Sequence, residues 1–183
     1  MSRPPRATPA LDALSTDEAS AVLEQLLDDH AELVEEAEEL AAALLTAIDR
    51  DAVADELVET MLAVPFTAIA TRVGKQPFGG GYVEPGEAAS EVLEETLEPF
   101  LDDLRRTAAA GFPDAALELG YALLAGLYRL RVVAGPDTLI GWADAEQEAW
   151  ELATSVVLAF DDAGLEPPRD VVDALVPDWA GIA

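Results

Sequence analysis

Residues 86–135 read GEAASEVLEETLEPFLDDLRRTAAAGFPDAALELGYALLAGLYRLRVVAG, and this stretch decides the fold class. Apolar residues recur in it every three or four positions, which is the spacing of one face of an α-helix. Gly111 and Pro113 predict a break between two helices. Pro99 removes an amide donor inside the first of them, so we expect a kink there or two shorter helices. The second helix is the most apolar in the chain, and small residues such as Gly120 suit close helix contact, which predicts a central position.

The rest of the chain shows the same periodicity, and no segment shows the sustained alternation that predicts a strand. Ser15 to Glu18 match the S-x-x-E capping box that begins many helices. We therefore expect an all-α fold of about seven helices in a compact bundle. It would form a single domain over residues 15–183, after a disordered lead-in over residues 1–14. The further helices are predicted over residues 15–29, 31–48, 52–64, 65–73, 144–163 and 168–176.

Two segments that lie seventy residues apart resemble each other. EASAVLEQLL over residues 18–27 aligns with AASEVLEETL over residues 88–97, with identical residues at six positions. Amphipathic helices in a chain rich in Ala, Glu and Leu often match by chance, so chance similarity and a true duplication both stay open. A duplication would predict two stacked helical-hairpin repeats, an architecture that usually provides binding surfaces.

Acidic residues dominate the charge, since 37 Asp and Glu against 10 Lys and Arg give a net charge of −27. Such a surface repels phosphate backbones, so we expect no direct binding to nucleic acid. Organism-wide composition, attraction to a basic partner and mimicry of DNA each explain the acidity and stay open. No apolar run approaches the roughly 20 residues of a membrane span, and residues 1–14 lack the apolar segment of a secretory signal. We therefore expect a cytoplasmic protein without a membrane anchor.

A glycine- and proline-rich loop over residues 74–86 is the least helical part of the chain. It lacks the G-x-x-x-x-G-K-[ST] phosphate pattern, and Glu84 and Glu87 at the start of the next helix would repel a phosphate. The loop either connects two helices or contacts an anionic group of a partner. Residues 61–81 contain no acidic residue, which favours such a contact. The predicted partner-binding residues are Arg72, Lys75, Phe78 and Tyr82.

No set of residues predicts a catalytic site, a cofactor or a metal. The chain has no cysteine, which excludes disulfides, thiolate metal sites and cysteine nucleophiles. His30 is the single histidine and has no glutamate three residues before it, so the Glu-x-x-His motif of di-iron bundles is absent. Adjacent carboxylates such as Glu38 and Glu39 do not face each other on a helix and chelate poorly. We therefore expect that the protein is not an enzyme.

The segments GGGYVEPGEAASEVLEETLEPFLDDLRR and GFPDAALELGYALLAGLYRLR resemble helical segments that accompany SWIM-type zinc fingers in actinobacterial proteins. The resemblance covers roughly residues 14–160 and includes no diagnostic motif. The zinc finger itself requires cysteines, which this chain lacks. The resemblance therefore implies a helical, partner-binding module and transfers no metal site or functional residue.

These observations predict a non-enzymatic protein-interaction or scaffold module for an unidentified protein partner, with the loop in its binding surface. The apolar content also predicts a homodimer, with Trp179 and the C-terminal segment as the contact. Two alternatives from other classes stay open. An inhibitor that mimics DNA would use the acidic residues of segment 15–60, whereas a small-molecule binder or enzyme would use a helical pocket around Tyr121, Tyr128 and Arg129.

Overall fold

The computed structural model describes residues 10–75, 82–179 and 182. Within these residues the chain forms eight α-helices, of which seven have seven or more residues, and two strands of two residues each. The all-α fold predicted from helical periodicity is therefore confirmed. In chain order the elements are α1 (Thr16–Asp29), α2 (Val34–Thr46), α3 (Arg50–Leu62), β1 (Gly74–Lys75), β2 (Tyr82–Val83), α4 (Pro85–Ala109), α5 (Pro113–Val133), α6 (Leu139–Ala143), α7 (Ala145–Asp162) and α8 (Arg169–Leu175).

The chain divides into two compact units, residues 1–44 and residues 45–183, whereas the sequence predicts a single domain over residues 15–183. The first unit contains a 3-10 turn at Leu11–Ala13, then α1 and most of α2. Residues 1–9 of the predicted lead-in lie outside the described residues. None of the described residues of the first unit is buried, so all buried residues of the described chain belong to the second unit.

Local hydrogen bonds fix the helix ends of the first unit. The Ser15 side chain accepts from the Glu18 amide at 3.4 Å, and the Glu18 carboxylate accepts from the Ser15 amide at 2.9 Å. These two bonds form the predicted capping box, which satisfies amides that the first turn leaves without a partner. A 3-10 turn at Ala31–Leu33 then leads into α2, so the helix predicted over residues 31–48 is shorter than expected.

Helix α5 lies at the centre of the second unit, where it contacts α3, α4, α7 and α8. Four of its six leucines form a buried row, and each of these four is at most 1% exposed. Burial of a leucine side chain contributes about 1.5–3 kcal/mol, so this row is a substantial part of the packing energy of the unit. The leucines of the row are Leu123, Leu124, Leu127 and Leu130.

Two glycines of α5 allow the neighbouring helices to come close. A Cβ atom at Gly120 would lie 2.2 Å from the ring of Phe160 on α7, a distance that real side chains do not reach. A Cβ atom at Gly126 would lie 3.0 Å from the carbonyl oxygen of Ala54 on α3. The predicted role of small residues in close helix contact is therefore visible at Gly120, and Gly126 allows a similar contact that was not predicted.

The structure corrects three local expectations. Helix α4 runs without a break past Pro99, so of the two predicted alternatives, a kink or two shorter helices, the second is wrong. The buried side chains on either side of Pro99 share one face, and their packing holds the helix together. The helix predicted over residues 65–73 is only a 3-10 turn at Phe66–Ile69. Helix α6 was not predicted, although the Thr138 side chain caps it by accepting from the Gly141 amide at 3.2 Å.

Gly120→Ala is expected to destabilise the protein by about 1–3 kcal/mol, because the added methyl group forces Phe160 out of its packing. Urea denaturation measures the change in the free energy of unfolding. Gly86→Ala is the matched control, since a Cβ atom there meets nothing within 4 Å and alanine favours the helix by up to about 1 kcal/mol. Equal effects of the two substitutions would contradict the central packing of α5.

Candidate functional site

The predicted partner-binding loop begins and ends in a short antiparallel ladder. Gly74 of β1 pairs with Val83 of β2, and Lys75 pairs with Tyr82. Gly74 has a φ of +107°, a left-handed conformation that favours glycine. The ladder therefore brings the backbones of Lys75 and Tyr82 side by side. Phe78 lies outside the described residues, so its contact with a partner stays a prediction.

Arg72 lies just before β1 and forms an ion pair with α4. Its Nη2 atom donates to Oε2 of Glu95 at 2.6 Å, and this hydrogen bond raises the pKa of the Arg72 guanidinium above its ordinary value. An anionic partner would therefore compete with Glu95 for Arg72. The side chain of Tyr82 is 61% exposed and open to contact. Partner binding by Arg72, Lys75, Phe78 and Tyr82 stays a prediction.

The three tryptophans differ in exposure, since Trp179 is buried whereas Trp142 and Trp150 are exposed. An open cavity of about 320 Å³ is lined by Glu146, Gln147, Trp150 and Trp179. Trp142 packs edge to face against Phe66 with ring centroids 6.1 Å apart. Trp142 and Phe66 therefore form a small exposed aromatic pair in the second unit.

The segment after α8 is held against α5 by a cluster of polar and aromatic side chains. Tyr128 Oη and Arg131 Nη2 each donate to Oδ2 of Asp178 at 2.6 Å, and these bonds lower the pKa of the Asp178 carboxyl. The Arg131 guanidinium lies 4.0 Å from the centre of the Tyr128 ring. Trp179 packs edge to face on the same ring at 5.2 Å. Trp179 is thus in contact within the chain, and a homodimer formed through it stays a prediction.

The three side chains of the alternative helical pocket contact different parts of the second unit. Tyr121 is buried against Phe160, with ring centroids 6.1 Å apart. Tyr128 belongs to the cluster with the segment after α8. Arg129 donates from Nη1 to Asp55 on α3 at 2.8 Å. These contacts do not bring the three side chains around one cavity, so a small-molecule site there stays a prediction.

Glu148 on α7 is a buried carboxylate that sequence reasoning missed. It is 7% exposed, and its Oε1 atom accepts a hydrogen bond from Ser90 Oγ on α4 at 2.8 Å. Desolvation raises the pKa of the Glu148 carboxyl above its ordinary value, and the hydrogen bond from Ser90 opposes this rise. Like charges nearby add to the rise, namely those of Glu151, Glu94 and Asp144. The negative charge of Glu148 therefore destabilises the folded state.

The helices of the first unit carry large apolar side chains that are exposed. An amphipathic helix of a folded protein normally buries such residues against a core. Here the exposed fractions of these side chains range from 41% to 79% along α1 and α2. The most exposed apolar side chains of the two helices are Val22, Leu23, Leu26, Leu40 and Leu44.

Comparison of α1 with α4 shows that the same sequence pattern has two different surroundings. At positions matched by the seventy-residue offset, Leu23 is 51% exposed whereas Leu93 is fully buried. Val22 is 45% exposed whereas Val92 is 6% exposed. A stripe that forms part of the core in α4 is therefore uncovered in α1. Chance similarity and duplication of the two segments both stay open.

Two grooves open on the first unit and share Leu26. One, of about 290 Å³, lies between α1 and α2 and is lined by Leu23, Leu26, Leu27, Leu33, Glu36, Ala37 and Leu40. The other, of about 380 Å³, lies along the end of α1 and is lined by Ala21, Val22, Gln25, Leu26, Asp29 and His30. We call the residues that line these two grooves the α1–α2 surface.

The charge around the α1–α2 surface is negative throughout. Residues 10–44 contain no lysine or arginine. His30 ends α1, and its Nδ1 atom lies 3.1 Å from Oε1 of Glu32. The acidic residues of this segment are Asp12, Asp17, Glu18, Glu24, Asp28, Asp29, Glu32, Glu35, Glu36, Glu38 and Glu39. The surface therefore combines exposed leucines with carboxylates, and residues 10–44 offer them no arginine or lysine partner.

Comparisons with protein-family models, curated proteins and solved structures find no match to this chain. The resemblance to helical segments that accompany SWIM-type zinc fingers therefore stays a prediction. Within residues 10–75, 82–179 and 182, no helix is both long and apolar enough to cross a membrane. In the same part of the chain, no three His, Cys, Asp or Glu side chains are grouped as the ligands of a metal ion would be.

Glu148→Gln is expected to raise the melting temperature near pH 7 by on the order of 2 °C. Because folding raises the pKa of Glu148 above 4.5, the folded state holds this proton more tightly than the unfolded state. Stability is therefore lost as the pH rises through the folded pKa, and the uncharged glutamine avoids this loss. Thermal unfolding followed by circular dichroism measures the difference in melting temperature between Glu148→Gln and the unsubstituted protein. This difference should shrink as the pH is lowered toward about 4. The same gain in Glu56→Gln, an exposed glutamate on α3 that is not among the charges acting on Glu148, would contradict the assignment.

Leu23→Ala and Leu93→Ala occupy matched positions and are expected to differ strongly. Leu93→Ala removes a buried side chain and should lower the free energy of unfolding by about 2–5 kcal/mol. Leu23→Ala changes an exposed side chain and should alter it by less than about 0.5 kcal/mol. Urea denaturation measures both values. A cost of several kcal/mol for Leu23→Ala would mean that α1 is covered within the chain.

Proposed function

We propose that the protein is a non-enzymatic interaction module that binds a protein partner through the α1–α2 surface. The observation that carries this proposal is the exposure on α1 of an apolar stripe whose counterpart in α4 is buried. Apolar surface in water costs about 25 cal/mol per Å² relative to burial. Contiguous exposed apolar patches on folded proteins mark interaction sites more often than isolated apolar residues do.

The architecture of the first unit supports the same proposal. Its described residues include no buried side chain, so α1 and α2 gain little stability from a core of their own. Isolated helices of about 12–15 residues are marginal in water, and most helices in proteins depend on packing of their apolar face. A partner that covers Leu23, Leu26 and Leu40 would supply that packing.

The pattern of side chains favours an apolar contact with a protein partner over mimicry of DNA. A DNA mimic needs carboxylates in place of phosphates and has no use for exposed leucines between them. On α1 and α2 apolar residues recur every three or four positions and acidic residues lie between them, as in an amphipathic helix that binds a partner. Our proposal also includes a cytoplasmic location and a second contact with an anionic group at Arg72, Lys75, Phe78 and Tyr82.

Site-specific photo-crosslinking tests the proposed surface. A photoreactive phenylalanine analogue at Leu26 should give adducts with a protein partner when the full chain is expressed in its host. The matched control position is Leu158 on α7, which is also an exposed leucine on a helix, at 56% exposure. Mass spectrometry identifies and counts the adducts. Equal yields at Leu26 and Leu158, or none at Leu26, would overturn the proposal.

A further inference from the structure

We infer that the partner segment that occupies the α1–α2 surface is a cationic amphipathic helix. This inference rests on the proposed function and specifies the chemistry of the occupant. The groove between α1 and α2 is open to solvent and is lined mainly by leucines. A helix with apolar residues at i, i+3, i+4 and i+7 presents an apolar face that fits such a groove. Binding would place a third helix against two that have no buried residue.

Charge complementarity indicates which residues flank the apolar face of the bound helix. Residues 10–44 hold eleven acidic residues and neither lysine nor arginine, whereas five arginines of the second unit pair with acidic residues of that same unit. Glu36 and Asp29 line the two grooves directly, so they lie beside any segment bound there. Lysine or arginine on the flanks of the bound helix would meet these carboxylates, which steers association and selects against acidic segments.

Other occupants fit this surface less well. A second copy of the chain would bring eleven further acidic residues against the first set, and like charges across an interface oppose binding. A peptide that binds as an added strand needs an open sheet edge, whereas this surface consists of helices whose backbone groups are paired internally. Anionic lipid and nucleic acid are repelled by the same carboxylates.

Peptide binding to the full-length protein tests the inference. The probe is a fluorescent helix of about 18 residues with leucines at i, i+3, i+4 and i+7 and lysine at the flanking positions. One control keeps the leucines and replaces lysine by glutamate; the other keeps the lysines and scrambles the leucine spacing. Fluorescence anisotropy should show that each control binds at least about tenfold more weakly. Binding of the probe should also weaken by about tenfold or more between about 50 and 500 mM salt.

Variants of the protein locate the site. Leu26→Ala/Leu40→Ala should weaken probe binding by about tenfold, whereas Leu158→Ala should leave it unchanged. Thermal unfolding of both variants shows whether the fold is kept. If it is lost in the double variant, hydrogen exchange of the unsubstituted protein should show protection by the probe within residues 16–46 and not within α7.

Several outcomes would overturn the inference. Equal binding of the scrambled lysine peptide would show attraction to net charge alone, and equal binding of the glutamate peptide would show that charge plays no part. A dimer of the protein that dissociates in Leu26→Ala/Leu40→Ala would identify a second copy as the occupant. Crosslinks from Leu26 to an uncharged or acidic partner segment would leave the proposed function intact and reject only the cationic helix.

Discussion

Helix α5 can be surrounded by other helices because it carries no side chain where they come closest. At Gly120 the ring of Phe160 occupies the space of a Cβ atom, and at Gly126 the backbone of Ala54 comes almost as near. This approach brings α3 and α7 over the leucines of α5, whose burial drives folding. Exposed ion pairs also join α3 to α5, but such pairs contribute at most about 1 kcal/mol each. Packing against α5 therefore sets the arrangement of the second unit.

Helix ends were predictable from the sequence where nearby residues determine them. Ser15 and Asp49 accept from amides of their own first turns, and Gly164 follows α7 with a φ of +67°. Such caps satisfy local backbone groups and need no information about the rest of the fold. Pro99 is different, because its local effect opposes a helix whereas the buried face of α4 maintains one. The division into two units also depends on distant contacts, which periodicity does not specify.

The candidate site was less predictable than the fold. Apolar spacing shows which side chains share a helix face, but it does not show what covers that face. Leu23 and Leu93 therefore look alike in the sequence and differ completely in exposure. Glu148 did leave a signal, since it lies four residues before Leu152 on the apolar face of α7. The pairing of Arg72 with Glu95 spans 23 residues and could be found only in three dimensions.

The last part of the second unit completes its core, with consequences for synthesis. Val172, Val176, Trp179 and Ile182 are buried, and Asp178 accepts hydrogen bonds from two side chains of α5. Because the ribosome releases the N-terminal part of a chain first, α1 and α2 emerge well before this segment. The core of the second unit is therefore complete only after this segment has left the ribosome. The leucines of α1 and α2 are therefore accessible before that core is complete.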